Sequence, residues 1–222
     1  MTKRAFDVVV SAVALAVAAP IMAAVAAAIR RGSPGPIIYR AARVGVRGRI
    51  YTMHKFRTMH VQPSEARSVI TATDDPRVSP TGAFLRRTKL DELPQLWDVL
   101  RGEMSVVGPR PEDPKIVRDH YTPPMMTTLQ VKPGLTSPGS LYGTAHVDEL
   151  LRADDAEQAY VDDVLPLKLA LEQVYIERQS FWYDLQIIGR TVAMVLRALV
   201  GRDSEPVLPE MARARELLEI DV

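Results

Sequence analysis

Asp91 and Glu92 stand side by side, and a short way on Arg110 is held between Pro109 and Pro111. Lys55, Arg57, Arg86 and Arg87 precede the acidic pair. A guanidinium presents several donors in one plane and grips phosphate oxygens two at a time, and prolines on both sides restrict its backbone. Carboxylates beside such cations suit a diphosphate carried with Mg²⁺, which commonly sits on one or two carboxylates plus substrate phosphates; Mn²⁺ is the alternative ion. On its own an Asp-Glu pair has a plainer reading, with Asp91 capping a helix and Glu92 a solvated acid. The surrounding cations are what set that reading aside, and the residues alone narrow the chemistry no further than phosphate handling.

The pair needs an element to hold it. Leu93, Leu96, Trp97 and Leu100 fall at i, i+3, i+4 and i+7, one face of a helix, and Gly102 is a natural stop. Thr88 with Asp91 resembles a capping box, whereas Pro94 is best tolerated in a first turn, so the helix is expected to start close to Asp91. Both acids would then lie at the positive end of a helix dipole, which keeps a carboxylate ionised. Upstream, Ile37 to Val44 and Arg49 to Phe56 read as two strands joined across Gly45 to Gly48 as a hairpin. Residues 61–80, rich in Pro, Ser and Asp, read as a long loop, either an active-site lid or a plain connector.

Charge is unevenly spread. Residues 1–60 hold ten Lys or Arg and one acid, Asp7, leaving 18 bases against 26 acids in the remainder. The N-terminal third therefore faces something anionic, lipid headgroups or a phosphorylated substrate. Nucleic acid is not expected, because the bases flank an apolar segment and lack interleaved aromatics. Val8 to Ile29 is a run of 22 uncharged residues, close to the roughly 20 that cross a bilayer as a helix. It is longer than the apolar core of a signal peptide, which argues against cleavage. Lys3 and Arg4 precede it and Arg30 and Arg31 follow, so both ends favour the same, positive-inside side. A helix that enters the membrane and returns satisfies both flanks, and Pro20 in mid-run supplies a break. An ordinary spanning helix with a tolerated proline is the competing reading.

Cysteine is absent, which excludes disulfides, thiol catalysis and thiolate metal sites. His54, His60, His120 and His146 show no ligand-like spacing. Asp148 to Asp163 carries seven acids and one base and reads as the solvated face of helices. Phe181, Leu185, Ile188, Val192, Val195 and Leu199 form a helical apolar stripe with Trp182, Tyr183, Arg178, Arg190 and Arg197 nearby, which suits either core packing or a helix in the headgroup region.

Four motifs, in order and in register, carry a family resemblance: Lys55-Phe56-Arg57-Thr58-Met59; Leu85-Arg86-Arg87-Thr88-Lys89-Leu90-Asp91-Glu92-Leu93-Pro94-Gln95; Ser105-Val106-Val107-Gly108-Pro109-Arg110-Pro111-Glu112; and Lys132-Pro133-Gly134-Leu135-Thr136. With Lys3-Arg4-Ala5-Phe6-Asp7 and Tyr183-Asp184-Leu185, they resemble the bacterial sugar transferases, the small monotopic polyprenyl-phosphate phosphoglycosyl transferases, over about residues 2–202. The resemblance implies an α+β, mostly helical fold. Residues 1–31 would be a re-entrant membrane helix, and residues 32–202 a cytoplasmic catalytic domain with a small β-hairpin and interfacial helices. Residues 203–222 would be an acidic C-terminal extension.

It further implies transfer of a sugar 1-phosphate from a UDP-sugar to polyprenyl (undecaprenyl) phosphate at the cytoplasmic face of the bacterial inner membrane, the first step of glycan, capsule or exopolysaccharide synthesis. By that resemblance Asp91 is the nucleophile and Glu92 its assistant, both near Mg²⁺, and Lys55, Arg57, Arg86 and Arg110 hold phosphates. A homodimer and downstream glycosyltransferases are candidate partners. Three departures stand out: Ala19 precedes Pro20 where a polar residue is usual, Ser137-Pro138-Gly139-Ser140-Leu141-Tyr142-Gly143 replaces the usual segment after Thr136, and residues 203–222 have no counterpart. The second leaves the donor sugar open. The competing classes are a catalytically silent membrane-anchored scaffold and a polyprenyl phosphate phosphatase or kinase; a Gly-rich P-loop is missing.

Overall fold

A computed structural model describes residues 3–61, 75, 77–150, 156–199 and 206–220. The chain is mostly helical with two small sheets among the described residues. Most of the 61–80 loop and part of the acidic stretch after Asp148 lie outside the described residues.

Helix α1 (Lys3–Gly32) opens the chain and contains Pro20 without ending there. It is the one helix among the described residues long and apolar enough to cross a membrane. Its middle turns Val9, Val13 and Val17 outward, the last 71% exposed, while its two ends pack on the rest of the molecule. At the start, Lys3 pairs with Asp184 at 2.6 Å, Arg4 donates to the carbonyls of Val99 and Leu100 at 2.6 Å each, and buried Asp7 accepts from the Ser105 hydroxyl and the Val106 N–H at 3.0 Å. At the other end, Val25 and Ile29 are buried with Phe56 and Leu85.

The hairpin lies within one residue of its expected place: β1 (Ile38–Val44) pairs antiparallel with β2 (Ile50–Phe56), Val44 opposite Ile50. Arg47 and Gly48 take left-handed backbone in the turn between them. Alternation along β2 sends Tyr51 and Met53 into a core with Val99, Met104 and Val107. Helices α2 (Pro80–Thr88) and α3 (Gln95–Arg101) follow. Ser79 caps α2 by accepting from the Gly82 N–H at 2.9 Å.

Strand β3 (Ser105–Val107) pairs in parallel with β4 (Gly134–Thr136), so two of the sequence motifs lie side by side. The backbones come so close here that a Cβ on Gly134 would overlap Gly108, and one on Gly108 would overlap the Lys132 carbonyl. Between them is α4 (Pro114–His120), capped by Asp113. After α5 (Pro138–Leu150), α6 (Ala156–Ala159) runs through a π-turn at Tyr160–Val164 into α7 (Leu165–Arg178), the central buried helix. Asp162 and Asp163 face solvent as expected for an acidic face, but Tyr160 and Val164 beside them are buried.

Helix α8 (Phe181–Leu199) has the expected amphipathic stripe. Ile187 is fully buried, whereas Phe181, Trp182, Val192, Leu196 and Leu199 are exposed. The C-terminal extension is not detached. Its helix α9 (Met211–Ile220) packs on α7 with Ala214 fully buried, and buried Glu210 accepts from the Tyr183 hydroxyl and from Arg190, both at 2.7 Å.

Candidate active site

Asp91 and Glu92 occupy a 3₁₀ turn, Leu90–Glu92, at the corner between α2 and α3. The corner exists because Lys89 adopts left-handed backbone (φ 58°) and its N–H closes back on the Arg86 carbonyl. The capping box that Thr88 and Asp91 resemble does not form, and α3 starts at Gln95 instead of close to Asp91. Thr88 ends the preceding helix, and its hydroxyl donates backward to the carbonyls of Phe84 (2.8 Å) and Leu85 (3.2 Å), a local competition open to any threonine in a helical turn. The acids thus sit on a buried bend and not on the first turn of an α-helix.

Both are buried, Asp91 7% and Glu92 9% exposed. Arg110 grips Glu92 with two nitrogens: Nη2 lies 2.6 Å from Oε1 and Nη1 3.2 Å from Oε2. Lys55, from the end of β2, adds its ammonium at 3.2 Å from Oε1. Burial alone would raise the Glu92 carboxyl, but the charges of Arg110, Lys55 and Lys89 hold it well below the usual range. Asp91 moves the other way. Burial pushes it up, the Glu92 charge adds to this, and Lys55, Lys89 and Arg110 only partly offset it. The expectation of a dipole-stabilised Asp91 is therefore corrected: the acids sit on a three-residue 3₁₀ turn ahead of α3, and burial sets the direction of the shift. Asp91 Oδ1 is buried with no hydrogen-bond partner, so its lone pairs are free for a reacting atom or a cation.

Arg86, at the last turn of α2, donates from Nε to the Thr58 hydroxyl at 3.0 Å and lies within electrostatic reach of Asp91. Arg57 is elsewhere. Its guanidinium is buried against the loop that follows α1, bonded to the carbonyls of Pro34 (2.7 Å) and Ser33 (2.8 Å) and to the Ser33 hydroxyl (2.8 Å). Of the four bases expected to hold phosphates, Lys55, Arg86 and Arg110 gather around the acids, and Arg57 instead fastens the exit of α1.

Sequence reading passed over three buried groups. Asp98 accepts from the backbone N–H of His54 (2.9 Å) and its Nδ1 (2.6 Å), tying α3 to β2. Glu172 accepts from the Arg110 N–H (3.1 Å) and the Ser137 hydroxyl (2.6 Å), and so fixes the backbone that aims Arg110. Lys168 pairs with Glu112 and donates to the Tyr160 hydroxyl at 2.8 Å. Lys168 and Glu172, four residues apart in the apolar stretch Leu165–Tyr175, carried the signal that was available: ionisable residues on a face otherwise bound for the core.

The profile of the family described as Bacterial sugar transferase matches residues 1–198, nearly the whole chain. The chain belongs to the bacterial sugar transferase family. Relatives in that family include UDP-glucose:undecaprenyl-phosphate glucose-1-phosphate transferase of Escherichia coli (strain K12), 34% identical over 86% of this chain and 39% of the relative. The protein of the same name from Caulobacter vibrioides is 35% identical over 88% of this chain and 70% of the relative. Undecaprenyl-phosphate galactose phosphotransferase of Salmonella typhimurium is 33% identical over 88% of this chain and 40% of the relative. The chain thus spans well under half the length of the E. coli and Salmonella proteins. The Asp91–Glu92 bend and the Arg110 loop both lie inside the matched region of the sugar transferase family.

Proposed function

We propose that the protein is a membrane-associated phosphoglycosyl transferase that moves a sugar 1-phosphate from a UDP-sugar to polyprenyl phosphate. The observation that carries this reading is the buried, unpartnered Asp91 oxygen beside a carboxylate already neutralised by Arg110 and Lys55. In the first step Asp91 Oδ1 attacks the β-phosphorus of the donor. The bond from that phosphorus to the oxygen bridging to UMP breaks, and UMP leaves with the electron pair, giving an aspartyl phosphosugar. In the second, a polyprenyl phosphate oxygen attacks the same phosphorus and Asp91 leaves as carboxylate. Arg110, Lys55 and Arg86 carry positive charge to where phosphate oxygens gain negative charge. Names of relatives, which specify UDP-glucose or galactose with undecaprenyl phosphate, support the substrate class.

Mg²⁺ fits this donor set. Both Glu92 oxygens already accept from Arg110 or Lys55, so the open Asp91 carboxylate and the substrate phosphates would hold the ion, with Glu92 beside it. Bound there, the ion neutralises diphosphate charge.

The membrane reading rests on α1. Basic residues flank it at both ends, and both ends touch the same body of the protein, Arg4 on α3 and Ile29 beside Leu85 of α2. A re-entrant course satisfies both, with the catalytic domain on the cytoplasmic face and the exposed apolar stripe of α8 at the interface.

Detergent-solubilised protein with Mg²⁺ and a panel of UDP-sugars, with and without undecaprenyl phosphate, tests the proposal by UMP release. UMP from one donor, increased by the lipid and lost in Asp91→Asn, is the expected result. A folded protein that releases no UMP from any donor would turn the reading toward a scaffold.

A further inference from the structure

A cavity of about 170 Å³ opens beside the site and shares two of its walls, Lys55 and Arg110, with the Glu92 cluster. Six of the nine residues around it are charged. Its floor is a buried triad. Tyr160 donates to Glu112 at 2.6 Å, Lys168 donates to the Tyr160 hydroxyl, and Lys168 also pairs with Glu112 directly. Tyr160 opens the π-turn that joins α6 to α7, and such turns recur at functional sites because the extra residue re-aims a side chain. Arg43, paired with Asp113 at 2.7 Å, stands on the rim.

We propose that this cavity receives the hexose of the nucleotide sugar and that Glu112, Tyr160 and Lys168 read its hydroxyl groups. The inference rests on the transferase reading above. In a UDP-sugar the hexose hangs from the very phosphate that Asp91 would attack, so it must lie within a ring's breadth of the cations that hold that phosphate. Lys55 and Arg110 are both such cations and cavity walls. Sugar hydroxyls donate and accept, and the floor offers both: Glu112 accepts, Lys168 has a third N–H to donate, and the Tyr160 hydroxyl, whose proton is hydrogen-bonded to Glu112, keeps a lone pair to accept. Uracil asks for something else, a slot whose walls cover its flat apolar faces, and charged walls cover them poorly.

The two halves of the donor, a hexose 1-phosphate and UMP, separate this proposal from its rival and from the transferase reading itself, because their binding needs no turnover. Affinities of the full-length protein in detergent for glucose 1-phosphate, galactose 1-phosphate and UMP are measured for wild type, Tyr160→Phe and Glu112→Gln. Arg43→Gln on the rim serves as a fourth protein should a floor variant fail to fold. Loss of one hydrogen bond predicts a weakening of roughly five- to ten-fold for at least one hexose 1-phosphate, with UMP unchanged. Weakening confined to UMP would make the cavity a nucleotide site. Equal weakening of every ligand, or none, would also overturn the proposal, whether or not the wild-type protein releases UMP from UDP-sugars.

Discussion

Arg110 is the residue on which the proposed chemistry turns. Its guanidinium neutralises Glu92 through two contacts, its backbone is held by Glu172, and its charge tempers the rise in the Asp91 pKa. A lysine keeps the charge but reaches one oxygen at a time. Arg110→Lys is therefore expected to lower UMP release by on the order of a hundredfold while the protein stays folded, read by initial rates beside a melting curve. Glu172 offers a separate prediction about pH. Burial pushes its carboxyl up to about 7, with the Ser137 hydroxyl and the Arg110 N–H pulling back. A carboxyl raised in the folded state binds its proton more tightly there than in the unfolded chain, so its contribution is complete below about pH 4 and is lost as pH rises through 7. The span corresponds to up to about 3 kcal/mol. Glu172→Gln keeps an acceptor for Ser137 and Arg110 and removes the titration. Its melting temperature relative to wild type is expected to climb between pH 5 and pH 8, and a constant difference would show that Glu172 does not titrate in this range.

At the scale of elements, the site depends on how closely α2 meets the hairpin's exit. A Cβ on Gly82 would overlap the Thr58 carbonyl, and Thr58 in turn receives Arg86. Gly82→Ala must push α2 away, with an expected loss of about 2 kcal/mol or more and weakened activity, measured by thermal melting and UMP release. This closeness also explains what could be read in advance. The hairpin was legible because alternation and glycine placement are local signals. The apolar face expected of α3 was not: Trp97 is exposed, and the helix buries Gln95, Asp98 and Val99 beside Leu96. The helix start expected close to Asp91 comes instead at Gln95, because left-handed Lys89 and a 3₁₀ turn form the corner first, and no local spacing signal marks either. The pairing of β3 with β4 was hidden by its size: three residues a side, brought together across α4 and an intervening loop. Of the residues expected to form the site, Asp91, Glu92, Lys55, Arg86 and Arg110 come together at the bend. Arg57 shares the second strand's motif, yet the strand's end turns it toward Ser33 and Pro34.

The whole molecule is organised around α1, whose two ends are fastened to one body. Thirty helical residues extend about 45 Å at 1.5 Å per residue, more than a hydrocarbon core of about 30 Å. If α1 stood straight across a bilayer with Val25 and Ile29 docked on Phe56 and Leu85, its first turn would lie on the far side. There Arg4 could not reach Val99 and Leu100, nor Lys3 reach Asp184. Asp7, buried on Ser105 and Val106, would also be stranded at the membrane edge, where an unpaired carboxylate is costly. The proposed re-entrant course keeps all of these contacts and predicts that both ends face the cytoplasm. Because the chain has no cysteine, single substitutions report each end without interference. T2C and R31C, expressed separately in a bacterial host, are both expected to resist a membrane-impermeant maleimide in intact cells and to react once the inner membrane is opened. Reaction of T2C in intact cells, with R31C still protected, would make α1 a spanning helix and remove the contacts of Lys3, Arg4 and Asp7 from the membrane-bound protein.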